Sequence, residues 1–326
     1  MSQLYPLKFE TIFKDKIWGG QKIKTVLGKD FGNLPNCGET WEISGVKGNE
    51  SVVLEGVLKG KSLPQLIEEF KGELVGESVY QQFGNEFPLL IKFIDANDDL
   101  SIQVHPDDVL AKKRHNSFGK TEMWYVFQAD KGANLITGFN QPLTRESYLK
   151  AFNSGKLMDI LNKETVSEGD VYFLPAGRVH TIGKGLFIAE IQQTSDITYR
   201  IYDFDRVDDK GNKRELHVEE ALDAIDYNYY PEYKTKYQDK TNEAVSLVNC
   251  QYFETNKLSC TEKITRNYTH DSFTILICFE GSLVLNSEVG DLNIKKGEAI
   301  LIPASIKTVQ LIPSPDFKVL ETFVAD

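Results

Sequence analysis

Apolar positions along this chain recur mostly with the two-residue period of β-strands. Eight runs stand out: ESVVLEGVL, FPLLIKFIDA, EMWYVFQA, GDVYFLPA, LFIAEIQQ, FTILICFEGSLVL, EAILIPA and FKVLETFVA. They are rich in β-branched and aromatic residues and are bounded by Gly, Pro, Asn or Asp, which predicts strands. Three stretches carry helical spacing instead. Residues 62–84 open on Ser62 as a candidate N-cap, and residues 143–163 open on Thr144 with Glu146 in the first turn. Residues 215–225 are the third. The pattern predicts a mainly β protein of the barrel or sandwich kind, with a helical insertion in its N-terminal part.

A repeat refines this. Residues 169–180 read GDVYFLPAGRVH and residues 297–308 read GEAILIPASIKT, each preceded by a similar strand. Two copies of one β unit predict two related barrels. The Tyr- and Lys-rich stretch 226–240 has no clear period and reads as a linker. The expected division is therefore 1–230 and 231–326. The final position of the repeat is His180 in the first copy and Thr308 in the second. Thr274 or a neighbour stands where the first copy has Glu122, and no Gln-x-His pair occurs in the second. The C-terminal unit is expected to bind no metal and to serve structurally.

Composition narrows the class. The chain has 326 residues, 41% hydrophobic and 26% charged, as in ordinary globular proteins. Its net charge of −11 argues against general nucleic-acid binding, which needs a basic face. The four cysteines form no CxxC pair, which speaks against a structural zinc site and for reduced thiols. The opening MSQLYPLKFE lacks the parts of a secretory signal, and no apolar run reaches membrane-spanning length. A cytoplasmic protein, monomer or homodimer, without nucleic-acid or membrane partners, is expected.

The stretch SIQVHPDD, residues 101–108, carries the first chemistry. Gln103 and His105 are two apart in an apolar run, so in a strand they share one face. Glu122 shares a face with Lys120 and Trp124, while Met123 points the other way. His180 follows a Pro-Ala-Gly turn, where a strand end delivers it to a barrel mouth. His115, His217 and His270 read as ordinary structural histidines.

The G-x5-P-x-G-x2-H pattern at 169–180 resembles the second motif of the cupins. WGG at 18–20, QVHPDD at 103–108, GKTEMWYV at 119–126, PAGRVHTIGKG at 175–185 and IQQTSDITYRIYDFDR at 191–206 together resemble the type I mannose-6-phosphate isomerases, in their short bacterial form. The resemblance implies two cupin-type (jelly-roll) barrels and interconversion of mannose 6-phosphate and fructose 6-phosphate through a cis-enediol.

It also implies a ligand set of Gln103, His105, Glu122 and His180 around one Zn2+ per chain, in the N-terminal barrel. These donors suit zinc, and nickel, cobalt, manganese or iron fit the same N/O set. Gln103 is either a ligand or the residue that orients His105. Arg200 matches the family's catalytic arginine, and its planar cation suits a developing oxyanion. Its structural alternative is an ion pair with Asp196, Asp203 or Asp205. Lys120 and Glu190 match further active-site positions, and either of them, or a metal-bound water, is left as the base.

Lys92, a cation in an apolar strand, needs an anionic partner or a route to the surface, and a phosphate is one such partner. Arg178 and Lys184 are weaker phosphate candidates. Trp18 is either a pocket wall or plain core. Two rivals remain: another metal-dependent cupin enzyme, such as an oxygenase or a different sugar isomerase, and a non-catalytic sugar-phosphate-binding cupin.

Overall fold

The computed structural model describes residues 4–208 and 210–324. Three antiparallel sheets organise it. A six-stranded sheet runs in the order Ile12–Lys14, Glu39–Ser44, Leu89–Asp95, Leu186–Gln193, Glu122–Ala129, Val171–Leu174. A five-stranded sheet runs Tyr199–Tyr202, Ile102–Val104, His180–Ile182, Asn134–Phe139, Leu161–Thr165. The third has the path Leu7–Lys8, Ala299–Ile302, Thr274–Ser287, Thr308–Phe323, Glu254–Cys260, Ala244–Asn249, with Ile264–Asn267 and Gly290–Lys295 alongside.

Strand alternation sorts the six-stranded sheet into two faces. Trp124, Val126, Ile94 and Ile188 meet Leu135 and Ile182 of the five-stranded sheet. Met123, Tyr125, Ile91 and Ile191 face the other way, into one large core shared with Leu66, Ile67, Phe273, Ile275 and Leu320. The outer face of the five-stranded sheet is covered by Tyr148, Leu157 and Leu222 from the helical segments. The fold is mainly β, and no helix among the described residues is long and apolar enough to cross a membrane.

The repeat holds in register. Glu122 pairs with Leu174, and Thr274 pairs with Ile302 at the corresponding place. Glu190 lies between Lys92 and Trp124, and Glu321 lies between Asn256 and Leu276. Gln103 opposes His180, and Asn267 opposes Thr308. The second unit thus offers Asn267, Thr269, Thr274 and Thr308 where the first has Gln103, His105, Glu122 and His180. None of these four is a histidine or a carboxylate.

Several local expectations need correction. The stretch 62–84 is three short helices, Leu63–Phe70, Gly72–Val75 and Glu77–Phe83, because Lys71 (φ 48°) and Gly76 (φ 97°) adopt conformations that end each turn. The Ser62 cap is present and forms a capping box with Gln65. The stretch 143–163 keeps its Thr144 cap but ends as a strand, Leu161–Thr165. ESVVLEGVL forms only isolated bridges at Val52 and Val53. The expected end of the last strand, Ala325, lies outside the described residues. Segment 226–240 is a fastened strap: Tyr233 Oη donates to Phe139 O at 2.8 Å, and Tyr237 Oη donates to Gly169 O at 2.7 Å.

Candidate metal and active site

The two sheets of the N-terminal half bring four sequence-predicted residues together. Gln103 and His180 face each other across adjacent strands of the five-stranded sheet, and His105 follows just past the Gln103 strand. Glu122 opens its own strand in the facing six-stranded sheet. Nε2 of His105 lies 3.6 Å and Nε2 of His180 lies 3.3 Å from the Glu122 carboxylate. The side chains of His105, Glu122 and His180 are almost wholly buried.

Each ring is oriented from behind. His105 Nδ1 donates to Ile197 O and His180 Nδ1 donates to Arg178 O, both at 2.8 Å. A proton on Nδ1 leaves Nε2 as a lone pair, and both Nε2 atoms point at the carboxylate. Burial pushes the His180 imidazolium down to about 4, and burial together with the charge of Lys120 pushes that of His105 well below its ordinary range. Burial, with the Glu190 carboxylate nearby, lifts the Glu122 carboxyl above its ordinary value against the pull of Lys120. His105 Nε2 and Glu122 Oε1 have no hydrogen-bond partner. Two buried acceptors that converge and lack a donor of their own suit a cation. The three ligand atoms lie within 4.8 Å of one another, and this is the one such group among the described residues.

Gln103 Nε2 sits 3.3 Å from His180 Nε2. A half-turn of the amide puts its oxygen in the same position, so Gln103 has the reach of a fourth ligand.

Lys120 Nζ lies 3.0 Å from Glu122 Oε2 and is buried with it. Arg200 is the next neighbour in the five-stranded sheet: its Cα partner is Gln103, whose other partner is His180. Two inter-strand spacings put Arg200 about 10 Å from His180, the length of a hexose phosphate. Arg200 Nη1 donates to Glu215 O at 2.8 Å, and its buried Nε has no partner. Of the expected alternative partners Asp196, Asp203 and Asp205, Asp203 binds Arg206 and Arg214, Asp205 binds Lys213, and none of the three pairs with Arg200 among the described ion pairs. Burial and the charge of Arg214 disfavour the cationic form of Arg200, so an anion there would be welcome.

The four substrate-binding candidates have these partners and surroundings in the structure. Lys92 neither reaches the surface nor stands free for phosphate: its Nζ lies 3.2 Å from Glu190 and 4.0 Å from Glu39. Arg178 is held against Tyr230 and Tyr233, 4.4 and 4.7 Å from their ring centres. Lys184 is exposed in the turn past the far end of the His180 strand, with its backbone N–H bound to Asp99. Trp18 is core, packed in the cluster that contains Trp124 and Ile188. Glu190 is near the centre but engaged: Trp124 Nε1 donates to it at 2.9 Å, and Lys92 pairs with it. Burial would raise its carboxyl, yet Lys92 and Lys120 outweigh burial and lower it, which makes it a fixed counter-charge. Sequence reasoning missed Arg206 and Arg214, whose placement beside Arg200 depends on the turn 203–206.

A mainly β chain with an inward His–Glu–His group between two sheets, repeated in register without that group, defines a cupin-type protein with one candidate metal site among the described residues. Residues 6–137 match the family described as phosphomannose isomerase type I, catalytic domain, and residues 243–313 match the mannose-6-phosphate isomerase cupin domain. The mannose-6-phosphate isomerase of Streptococcus mutans is 36% identical over 94% of this chain and 94% of its own length. The mannose-6-phosphate isomerase ManA of Bacillus subtilis is 35% identical over 94% and 95%. The crystal structure of mannose 6-phosphate isomerase from Bacillus subtilis superposes with a TM-score of 0.87 at 31% identity, covering 97% of this chain and 99% of that one. The chain belongs to the type I phosphomannose isomerases, which are metal-dependent aldose–ketose isomerases.

Proposed function

We propose that mannose 6-phosphate and fructose 6-phosphate interconvert between the five- and six-stranded sheets, where Gln103, His105, Glu122 and His180 hold one zinc ion per chain. The observation that carries this is the convergence of two fixed Nε2 lone pairs on a buried carboxylate, beside an ionisable amine. Zinc, when bound, supplies Lewis-acid polarisation of the sugar oxygens. The rest falls to the chain's own groups.

The C2 proton of the open-chain aldose passes to the Lys120 amine nitrogen and returns to C1, while the O2 hydroxyl proton moves to O1, which turns the aldehyde into the ketose through a cis-enediol. Arg200 holds the negative charge that grows on oxygen as C2 loses its proton. Lys92 and Glu190 stay paired and keep Trp124 against the His180 ring, 5.3 Å between centres. The phosphate is received beside Arg200, where Arg200, Arg206 and Arg214 are met by Asp203 and Asp98, which leaves one positive charge in surplus.

Arg200→Ala is expected to keep its metal and its unfolding temperature while kcat falls by about a hundredfold or more, the loss seen when one charge-stabilising donor is removed. Parallel measurement of bound metal and of mannose 6-phosphate turnover checks this. Turnover within about threefold of wild type would remove Arg200 from the reaction.

A further inference from the structure

We infer that Tyr252, in the C-terminal half of the chain, is a positioning residue for the isomerisation: through Asp108 it fixes the segment that presents Lys120. This rests on the reading of Lys120 as the proton carrier.

Residues 119–121 enter the site without secondary structure, and all three of their backbone N–H groups are held. Gly119 N donates to Asp108 Oδ1 at 2.8 Å, Lys120 N to Pro106 O at 3.1 Å, and Thr121 N to Gln193 Oε1 at 2.9 Å. The second anchor leans on the first, since Gln193 Nε2 donates to the same Asp108 Oδ1 at 3.0 Å. The approach is close: a Cβ on Gly119 would stand 2.5 Å from Asp108 N. Asp108 is therefore the hub of the segment.

Its other oxygen is held from outside the N-terminal half. Tyr252, in the turn between the strands Ala244–Asn249 and Glu254–Cys260, donates its Oη to Asp108 Oδ2 at 2.6 Å. A phenol on one carboxylate oxygen stops the carboxylate from turning, so the oxygen that holds Gly119 and Gln193 stays in place. A charge-assisted bond of this length is among the stronger ones a side chain makes. The chain of contacts runs Tyr252, Asp108, Gly119, Lys120, and ends 3.0 Å from Glu122. The C-terminal unit thus serves the chemistry, although no residue at its own repeat positions is a metal-ligating histidine or carboxylate.

The test is a double-mutant cycle with Tyr252→Phe and Asp108→Ala, with Asp108→Asn as the milder second variant. Each is read for kcat, KM, bound metal, unfolding temperature and the isotope effect of 2-deuterated mannose 6-phosphate. Tyr252→Phe is expected to lower kcat about five- to tenfold, the size of one ordinary hydrogen bond, with KM and metal unchanged and a larger isotope effect. It is expected to have no further effect in either Asp108 background. Wild-type kcat in Tyr252→Phe overturns the inference. So does an equal loss with and without Asp108, or a loss that follows metal content or unfolding. Lys120→Ala, run alone, separates the two claims: near-normal turnover there removes Lys120 from the reaction whatever the cycle shows.

Discussion

His180→Ala is expected to bind no stoichiometric metal and to lose about a thousandfold or more in turnover, because a catalytic zinc with its few protein ligands loses both its hold and its Lewis-acid role. The variant should fold. His180 Nε2 lies 3.3 Å from Glu122 Oε1, and the ring is neutral near pH 7 because burial pushes its imidazolium down to about 4. Truncating a neutral ring leaves Glu122 beside Lys120, 3.0 Å away, so no buried charge is stranded. The wild-type protein should gain unfolding temperature on metal addition, since metal binds only the folded state, and the variant should gain none. Metal analysis with thermal unfolding in the presence and absence of zinc checks this. Full metal retention by His180→Ala would sink the ligand assignment.

Lys92→Met should cost about 3–5 kcal/mol of folding stability, the usual effect of stripping the partner from a buried charge. Lys92 is 4% exposed and lies between Glu190 and Glu39. Burial alone would raise the Glu39 carboxyl, but Lys92 and Lys16 outweigh it and hold it at about 2, below its ordinary 4.5. A folded-state value below the unfolded one stabilises the protein above about pH 4.5, and that stability drains away as pH falls towards 2. Without Lys92 the two carboxyls favour protonation, so the deficit should be largest at neutral pH and should narrow below about pH 5. Denaturant unfolding at several pH values reads both. A neutral-pH loss below about 1 kcal/mol would mean that water reaches these carboxylates and that the pair is not a buried one.

Much of the site was legible in the chain because its parts are local. A period of two placed Gln103 with His105, and Lys120 with Glu122, and both pairs do converge on the site, although His105 lies just past its strand and Lys120 just before the next one. The Pro-Ala-Gly turn marked His180 as lying at a strand end, and His180 is the first residue of its strand. The paired repeat was visible for the same reason, since a strand and its turn are a dozen residues long.

What was not legible was long-range. Lys92 needed an anion, but nothing local said that Glu190 would stand directly opposite it in the sheet. Arg178 looked like a free cation because the tyrosines that sandwich it lie some fifty residues further on. The strap 226–240 lacks periodicity, and Tyr227, Tyr233 and Tyr237 each bind a single backbone carbonyl, which leaves no pattern. The strand Leu7–Lys8, only two residues long, pairs with Ala299–Ile302 at the far end of the chain. The bond from Tyr252 to Asp108 joins residues 144 positions apart, so no window on the sequence contains both.

The central claim is that one metal at His105, Glu122 and His180 makes this chain an isomerase. Titrating metal-free protein with zinc while following mannose 6-phosphate conversion tests it most directly. Turnover should be absent at the start, rise in proportion to bound zinc, and stop rising at one ion per chain. Undiminished turnover in the metal-free protein, or a rise that continues to a second ion, would contradict it.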